Sequence, residues 1–230
     1  MKGMTDAIPH DAAITVPHVP PRDRLMEAAT RLFCKNGINA TGIDAIVAEA
    51  GTAKTTLYKI FRSKSDLVEA VLEAEGKVWR GWFIAGIETA KTPRAKLDSI
   101  FPVLKKWFGE QGYYGCVFIN AVGEHPKDET RLRAITMAHK SFVLEHVAGL
   151  ARAAGAARPE FLAHQIGLLM DGAIVAAMVT RDPSVADTAG LAAHALLDEA
   201  CGPVPARRSR RSALQGDAAA LAKESLSPVE

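Results

Sequence analysis

Apolar residues recur with a helical period over most of the chain, and the pattern is most informative in residues 41–61. In the first half of this stretch the apolar positions fall at i, i+3, i+4 and i+7, so they share one face of a short helix. They are Ile43, Ile46, Val47 and Ala50. Gly51 follows at once and can close that helix in the left-handed conformation, which costs glycine no side-chain clash. A second apolar set, Leu57, Ile60 and Phe61, then predicts another short helix.

The two predicted helices differ in what their other faces carry. Thr41 stands where its hydroxyl can cap the first helix. The second helix carries hydrogen-bonding and basic groups on its remaining faces, namely Thr52, Lys54, Thr55, Thr56, Tyr58 and Lys59. Two short helices at a tight turn, the second one basic and hydroxyl-rich, are typical of a helix-turn-helix that lays its second helix in the major groove of DNA. The alternative is an ordinary helical hairpin whose second helix is simply solvated.

The same periodicity predicts helices through the rest of the chain. One helix runs from about Arg22 to Asn36 and packs across the helix-turn-helix. Later helices are predicted over about 63–90, from Pro93 with a kink at Pro102, and over 127–153, 159–180 and 184–201, and a strand-like pattern is confined to 112–119. We therefore expect an all-α protein with an N-terminal three-helix, helix-turn-helix DNA-binding head and a C-terminal helical body for ligand binding and dimerisation.

Composition shifts divide the chain into four parts. Residues 1–21 are proline-rich without helical period and predict a disordered arm, while 202–230 are rich in Pro, Ala, Arg and Ser and predict a disordered basic tail. The DNA-binding domain is predicted at 22–68 and the effector-binding and dimerisation domain at 69–201.

Charge is concentrated in the predicted head. The whole chain of 230 residues has a formal charge of only +2, with 48% hydrophobic and 23% charged residues, as in globular proteins. Residues 22–65 alone hold eight basic and four acidic residues, a local charge of +4. Such an excess favours binding to a polyanion, and the binding should weaken as salt rises.

Cysteine usage and hydropathy predict a cytoplasmic protein. The three cysteines, Cys34, Cys116 and Cys201, are far apart and match no metal-ligand spacing, which fits a reducing compartment. The most apolar run, residues 168–179, is short for a bilayer and contains Asp171, so no membrane partner is expected.

Residues 22–67 resemble the N-terminal head of the TetR (tetracycline repressor-like) family of transcriptional regulators. The positions that fall in register are Gly51, Lys54, Thr56, Leu57, Tyr58, Phe61, Ser63, Lys64 and Leu67. The resemblance implies a homodimer that binds a pseudo-palindromic double-stranded DNA operator, normally as a repressor released by a small molecule. It also implies phosphate contacts from Thr41, Tyr58 and Lys64.

Base reading would fall to the recognition helix. The candidate residues are Thr52, Lys54, Thr55 and Lys59, since lysine donates to guanine and a threonine methyl packs on thymine. Two positions depart from the family pattern: Thr55 stands where glycine is frequent, and Lys59 with Ile60 stands where aromatic or histidine pairs are common. The operator sequence therefore does not follow from the resemblance.

The predicted body is rich in aromatic residues and methionine, which suits a small hydrophobic or aromatic effector. The candidate ligand-binding residues are Trp79, Trp82, Phe83, Trp107, Phe108, Cys116, Phe118, Asn120, Glu124, His139, Phe142, His146, Met170 and Asp171. The alternative for most of them is packing in the core. His139 and His146 lie seven residues apart on one helix face, so they either face one cavity or are core histidines.

The helix near residue 170 is apolar nearly all round and needs cover on all sides. A second subunit is the simplest cover near the C-terminus. The predicted dimer interface consists of Leu168, Gly172, Val175, Val179, Leu191, His194 and Ala195.

A catalytic protein with a merely structural head is the competing hypothesis. Cys116 with His125 or His139 would supply a thiolate and an imidazole, and Glu124, His125 and His139 are possible metal ligands. No third catalytic group or oxyanion hole is indicated, and the spacing matches no zinc template. We expect no catalytic residue, no metal and no cofactor.

Overall fold

The computed structural model describes residues 19–125 and 130–202, and over these ranges the chain is helical without a strand. The predicted arm and tail lie almost wholly outside these residues. The described helices are α1 (Pro21–Asn36), α2 (Ile43–Glu49), α3 (Lys54–Ile60), α4 (Lys64–Glu88), α5 (Pro93–Asp98), α6 (Ile100–Phe108), α7 (Val117–Glu124), α8 (Thr130–Ala153), α9 (Pro159–Thr180) and α10 (Val185–Cys201). The predicted all-α class is confirmed.

Helices α1 to α3 form a three-helix head, with α1 packed against both helices of the turn and against the start of α4. The apolar stripes predicted from the sequence meet in its core, where Leu25, Ile46, Leu57 and Leu67 are fully buried. Gly51 adopts φ +57 between α2 and α3, as the tight turn requires. The head is therefore held by apolar packing around a short connection.

Helix α4 joins the head to the body. It begins as predicted, since the Asp66 backbone N–H donates to the Ser63 hydroxyl at 3.1 Å. Its later turns pack on α6 and α8, while α9 packs between α8 and α10. The body is thus a helical bundle with α4 as its link to the head.

Three local predictions are wrong. Thr41 is not the cap of α2: Gly42 takes that place, and the 2% exposed Thr41 donates its hydroxyl to the carbonyl of Gly37 at 2.7 Å, closing the end of α1 instead. Residues 112–119 contain no strand, because α7 starts at Val117. The helix expected to kink at Pro102 is instead interrupted after Asp98. Pro102 has no N–H to donate to the Asp98 carbonyl, so the hydrogen bond that would continue the helix is absent.

Helix α9 has the length and hydropathy of a membrane-crossing helix, and 39% of its apolar window is buried inside the fold. The core helix of a soluble protein passes the same test. One face of α9 packs on α8 and α10, and the other face is exposed, with Leu168 at 74% and Val179 at 72%. The prediction that this helix needs further cover therefore applies to one face only.

Candidate nucleic-acid interface and ligand cavity

The recognition helix α3 is anchored by apolar residues and turns polar ones outward. Leu57 and Phe61 are buried at 0% and 5% exposure, which fixes the rotation of the helix. Lys54, Thr55 and Lys59 are exposed, and Tyr58 is 47% exposed. These four side chains form one accessible surface, whereas Thr52 and Thr56 are only half-exposed.

Two predicted DNA-contact lysines already have partners within the head. The Lys54 ammonium pairs with Asp44 at 2.9 Å, and this hydrogen bond raises the pKa of Lys54. Because both side chains are well exposed, the pair contributes little and exchanges easily with phosphate. The Lys64 ammonium donates to the Ile38 carbonyl at 2.6 Å and retains two further N–H groups.

Thr41 does not belong to this surface. Its hydroxyl lies inside the head with Gly37 and Leu32 carbonyls as acceptors, so the predicted phosphate contact through that hydroxyl is not available. The Thr52 hydroxyl is also enclosed and has no hydrogen-bond partner among the described residues.

The body contains a cavity of about 400 Å³, large enough for a drug-sized molecule. Its walls come from α1, α4, the end of α6, the loop before α7, α7 itself, α8 and α9. Seven predicted ligand-binding residues line it: Trp79, Trp107, Cys116, Phe118, His139, Met170 and Asp171.

The other seven predicted ligand-binding residues lie elsewhere. Phe83 and Phe108 are buried in the core, and Trp82 packs beside Trp79 and Trp107 without reaching the cavity. Asn120 donates to the Tyr114 carbonyl at 3.2 Å, which supports the cavity wall from behind.

Phe142, His146 and Glu124 also lie outside the cavity wall. Phe142 is 47% exposed beneath the Arg80 guanidinium, 5.0 Å from its ring centre. His146 Nε2 lies 3.7 Å from a Glu88 carboxylate oxygen, too far for a hydrogen bond. Only His139 of the histidine pair lines the cavity, so of the two alternatives the shared cavity is not observed.

Several cavity residues escaped the sequence analysis. Cys34 comes from α1 in the head, and Glu75, Lys140 and His164 come from three body helices. Glu75 stands one helical turn before Trp79, a spacing that places the two on one face. That signal was present in the sequence, whereas nothing local indicated Cys34.

Burial keeps the His139 imidazole uncharged at neutral pH. His139 is 6% exposed and stacks on Phe118 with ring centres 4.0 Å apart. Desolvation, together with the positive charges of Arg80 and Lys140, lowers the pKa of His139 to about 4. Arg80 donates to its Nδ1 at 3.2 Å, which makes Nδ1 the unprotonated nitrogen.

The depressed pKa of His139 predicts a loss of stability in mild acid. The His139 imidazole gains a proton near pH 6.5 in the unfolded chain and only near pH 4 in the folded chain. Its contribution to the free energy of unfolding is therefore fully present above pH 6.5 and is lost as the pH falls from 6.5 to 4. The full loss is on the order of 3 kcal/mol. Urea unfolding at pH 7 and pH 4.5 should show this loss reduced in His139→Gln, and unchanged in the exposed-site control His164→Gln.

The arrangement does not favour the catalytic alternative. Burial raises the pKa of the Cys116 thiol and so opposes thiolate formation. His125 is engaged with the Ala121 carbonyl at 2.8 Å and Glu124 with the head, so the proposed metal ligands are used separately. Over residues 19–125 and 130–202, no group of three His, Cys, Asp or Glu side chains is placed to hold a metal.

Helix α7 connects the cavity to the head. Val117 and Phe118, in its first turn, line the cavity. Glu124, its last residue, forms hydrogen bonds with the loop between α1 and α2. The Glu124 carboxylate accepts from the Asn39 backbone N–H at 2.8 Å, and the Asn39 side-chain amide donates to the Glu124 carbonyl at 2.5 Å. We call these two hydrogen bonds the Asn39–Glu124 clamp.

Comparison with known proteins agrees with this geometry. The profile described as "Bacterial regulatory proteins, tetR family" matches residues 25–71. The transcriptional repressor KstR2 of Mycolicibacterium smegmatis is 34% identical over 80 residues, 35% of this chain and 39% of that protein. The transcriptional activator FasR of the same species is 40% identical over 58 residues, 25% of this chain and 26% of that protein. The chain spans about half or less of the length of these curated relatives.

Solved structures extend the likeness over the body. The crystal structure of a TetR-family transcriptional regulator from Streptomyces coelicolor matches with a TM-score of 0.74 and 28% identity, covering 79% of this chain and 96% of that one. A second Streptomyces structure, a putative TetR-type regulator from S. avermitilis, has a TM-score of 0.68 and 26% identity, with 79% and 98% covered. The head is thus matched in sequence by the TetR family of bacterial regulatory proteins, and the body is matched in structure by TetR-family regulators.

Proposed function

We propose that this protein is a cytoplasmic, dimeric transcriptional regulator that represses from a pseudo-palindromic DNA operator and is released by a small molecule bound in the cavity. The observation that carries the proposal is the surface of α3, where Lys54, Thr55, Tyr58 and Lys59 are all turned outward by the buried Leu57. A helix presented in this way fits the major groove and supplies both phosphate and base contacts. The head is taken as residues 22–68 and the body as 69–201.

The dimer follows from the exposed face of α9 and α10. Leu168, Val179 and Leu191 are 72–74% exposed and Val175 is 40% exposed. Gly172, His194 and Ala195 are exposed on the same two helices. We call these seven residues the α9–α10 face. Exposed apolar side chains on the same helices as small residues that permit close helix approach suit an isologous interface with a second copy. Two heads then read the two half-sites about one DNA turn apart.

Repression is the part of the proposal that the relatives leave open, because KstR2 is named a repressor and FasR an activator. We favour release by a ligand because the cavity reaches the head directly. Cys34 of α1 and Glu75 of α4 both line it, and these two helices pack against each other. A ligand that fits the cavity better when the head has moved weakens DNA binding by that difference in affinity.

The deciding experiment is fluorescence anisotropy with labelled DNA from the region flanking the gene of this protein. We expect tight, salt-sensitive binding to a two-fold symmetric site, competed poorly by unrelated DNA. Affinity that is equal for all sequences, or absent, would instead support the alternative of a helical ligand-binding protein with a structural head. A reporter gene placed behind the operator then distinguishes repression from activation.

The Asn39–Glu124 clamp is expected to carry part of the ligand response. Glu124→Ala removes the carboxylate that accepts the hydrogen bond from the Asn39 N–H, so movement of α7 is coupled more weakly to the α1–α2 loop. We expect the ligand-induced loss of operator affinity to shrink about three- to tenfold, within the usual range for coupling residues. Ligand affinity in the absence of DNA should change less than about twofold.

The matched control is Glu145→Ala, which removes an exposed glutamate of α8 that does not line the cavity. Its ligand response should equal that of the unaltered protein. A full response in Glu124→Ala would exclude the clamp as the route and leave α4 and the direct contribution of α1 to the cavity wall as connections to the head.

A further inference from the structure

The cavity has an aromatic wall that is already fixed in place. The rings of Trp79 and Trp107 meet edge to face at 5.6 Å, and Tyr113 packs on Trp107 in the same way at 5.1 Å. The Tyr113 hydroxyl is used elsewhere, since it donates to the Ile174 carbonyl at 2.8 Å. These rings offer π-electron density and apolar area to a ligand, and the Trp79 indole N–H is a buried donor without a hydrogen-bond partner among the described residues.

The charges on the cavity wall are unbalanced. Three carboxylates line it, from Glu75, Glu110 and Asp171, against the single ammonium of Lys140. The Lys140 ammonium is already paired with Asp171, to which it donates a hydrogen bond. No ion pair is formed by Glu75 or Glu110 with any cationic side chain in the described parts of the chain, and Glu110 is exposed while Glu75 is half-buried.

The remaining nearby basic groups do not alter this balance. His139 is uncharged at neutral pH, as its environment requires. Arg80 lies behind His139, stacked on Phe142, and is not part of the cavity wall. An anionic ligand would meet two carboxylates without an ion-pair partner, and the cavity wall offers it no unpaired lysine or arginine among the described residues, which makes anions the least suited class.

We propose that the cavity takes an organic cation, a flat or compact aromatic group bearing a permanently charged or protonated nitrogen, with the nitrogen near Glu75 and the aromatic part against Trp79 and Trp107. Aromatic faces attract such cations, and the attraction grows when water is excluded. Burial also raises the pKa of Glu75, so an entering cation supplies the partner that its carboxylate lacks. This inference rests on the proposed role of the cavity as the effector site.

The test compares two ligands of the same shape and different charge, (3-hydroxyphenyl)trimethylammonium and 3-tert-butylphenol. The quaternary nitrogen keeps its charge at every pH, so the difference in affinity isolates the effect of charge. Isothermal titration calorimetry on the full chain without DNA, supported by quenching of tryptophan fluorescence, should show the cation binding at least about tenfold more tightly than the phenol.

Variants then locate the charge. Glu75→Gln should weaken the cation about tenfold and leave the phenol unchanged, while Glu145→Gln should change neither. Thermal melting of each variant verifies that it is folded. Equal or tighter binding of the phenol, or an equal loss for both ligands in Glu75→Gln, would overturn the inference. Because DNA is absent, that result would leave operator binding by α3 standing, whereas loss of operator binding alone would leave the ligand class standing.

Discussion

Replacing Val179 by glutamate is expected to convert the proposed dimer to a monomer and to weaken operator binding at least about a hundredfold. Val179 is 72% exposed on the α9–α10 face, so the change does not disturb the core of one subunit. An isologous interface buries the same residue from both subunits, and each copy would then bring an unpaired carboxylate into an apolar contact. Separated heads lose the gain from binding two half-sites together.

Sedimentation velocity measures the first effect and fluorescence anisotropy with the operator measures the second. The matched control is Val78→Glu, because Val78 is 67% exposed but lies on α4, outside the α9–α10 face. That variant should remain dimeric and bind operator normally. A Val179→Glu protein that sediments as a dimer and keeps its operator affinity would show that subunits associate through another surface.

Periodicity and caps were enough to predict most of the helices, because both are local properties of a sequence, but not α7 or the break between α5 and α6. The start of α4 at Ser63 and Lys64 and the turn at Gly51 both follow from the chemistry of neighbouring residues. Thr41 shows where this reasoning stops. A hydroxyl at that position can cap the following helix or close the preceding one, and the choice depends on packing that turns the side chain inward.

The sequence predicted the aromatic nature of the cavity, but it predicted only some of the residues that line it. Aromatic residues indicated a ligand site in the body, yet the cavity forms where separate helices meet, so its members depend on tertiary contacts. His139 and His146 illustrate the difference. Seven residues bring a side chain back to nearly the same helix face but about 10 Å further along the axis, where His146 meets Glu88 instead of the cavity.

Cys34 and Glu75 show a second reason why the sequence did not predict all the residues that line the cavity. Cys34 belongs to the predicted head, and no local pattern relates a residue of the head to a ligand site in the body. In the structure α1 and α4 pack side by side, and both contribute to one cavity wall. Contact between the head and the cavity is therefore a property of the fold that no single segment of the sequence carries.

Alanine in place of Lys59 is expected to weaken operator binding about tenfold and to lower the slope of log affinity against log salt by about one, as the loss of one phosphate or base contact predicts. Tyr58→Ala should weaken binding by a similar factor with little change in the salt slope, because its hydroxyl is neutral. Both side chains are exposed on α3 and anchor nothing in the core, so thermal melting should be unchanged within a few degrees. Lys77→Ala is the control, since it removes an equally exposed lysine from α4, well away from α3. If Lys59→Ala and Lys77→Ala bind operator equally well and with equal salt slopes, then α3 is not the helix that contacts DNA.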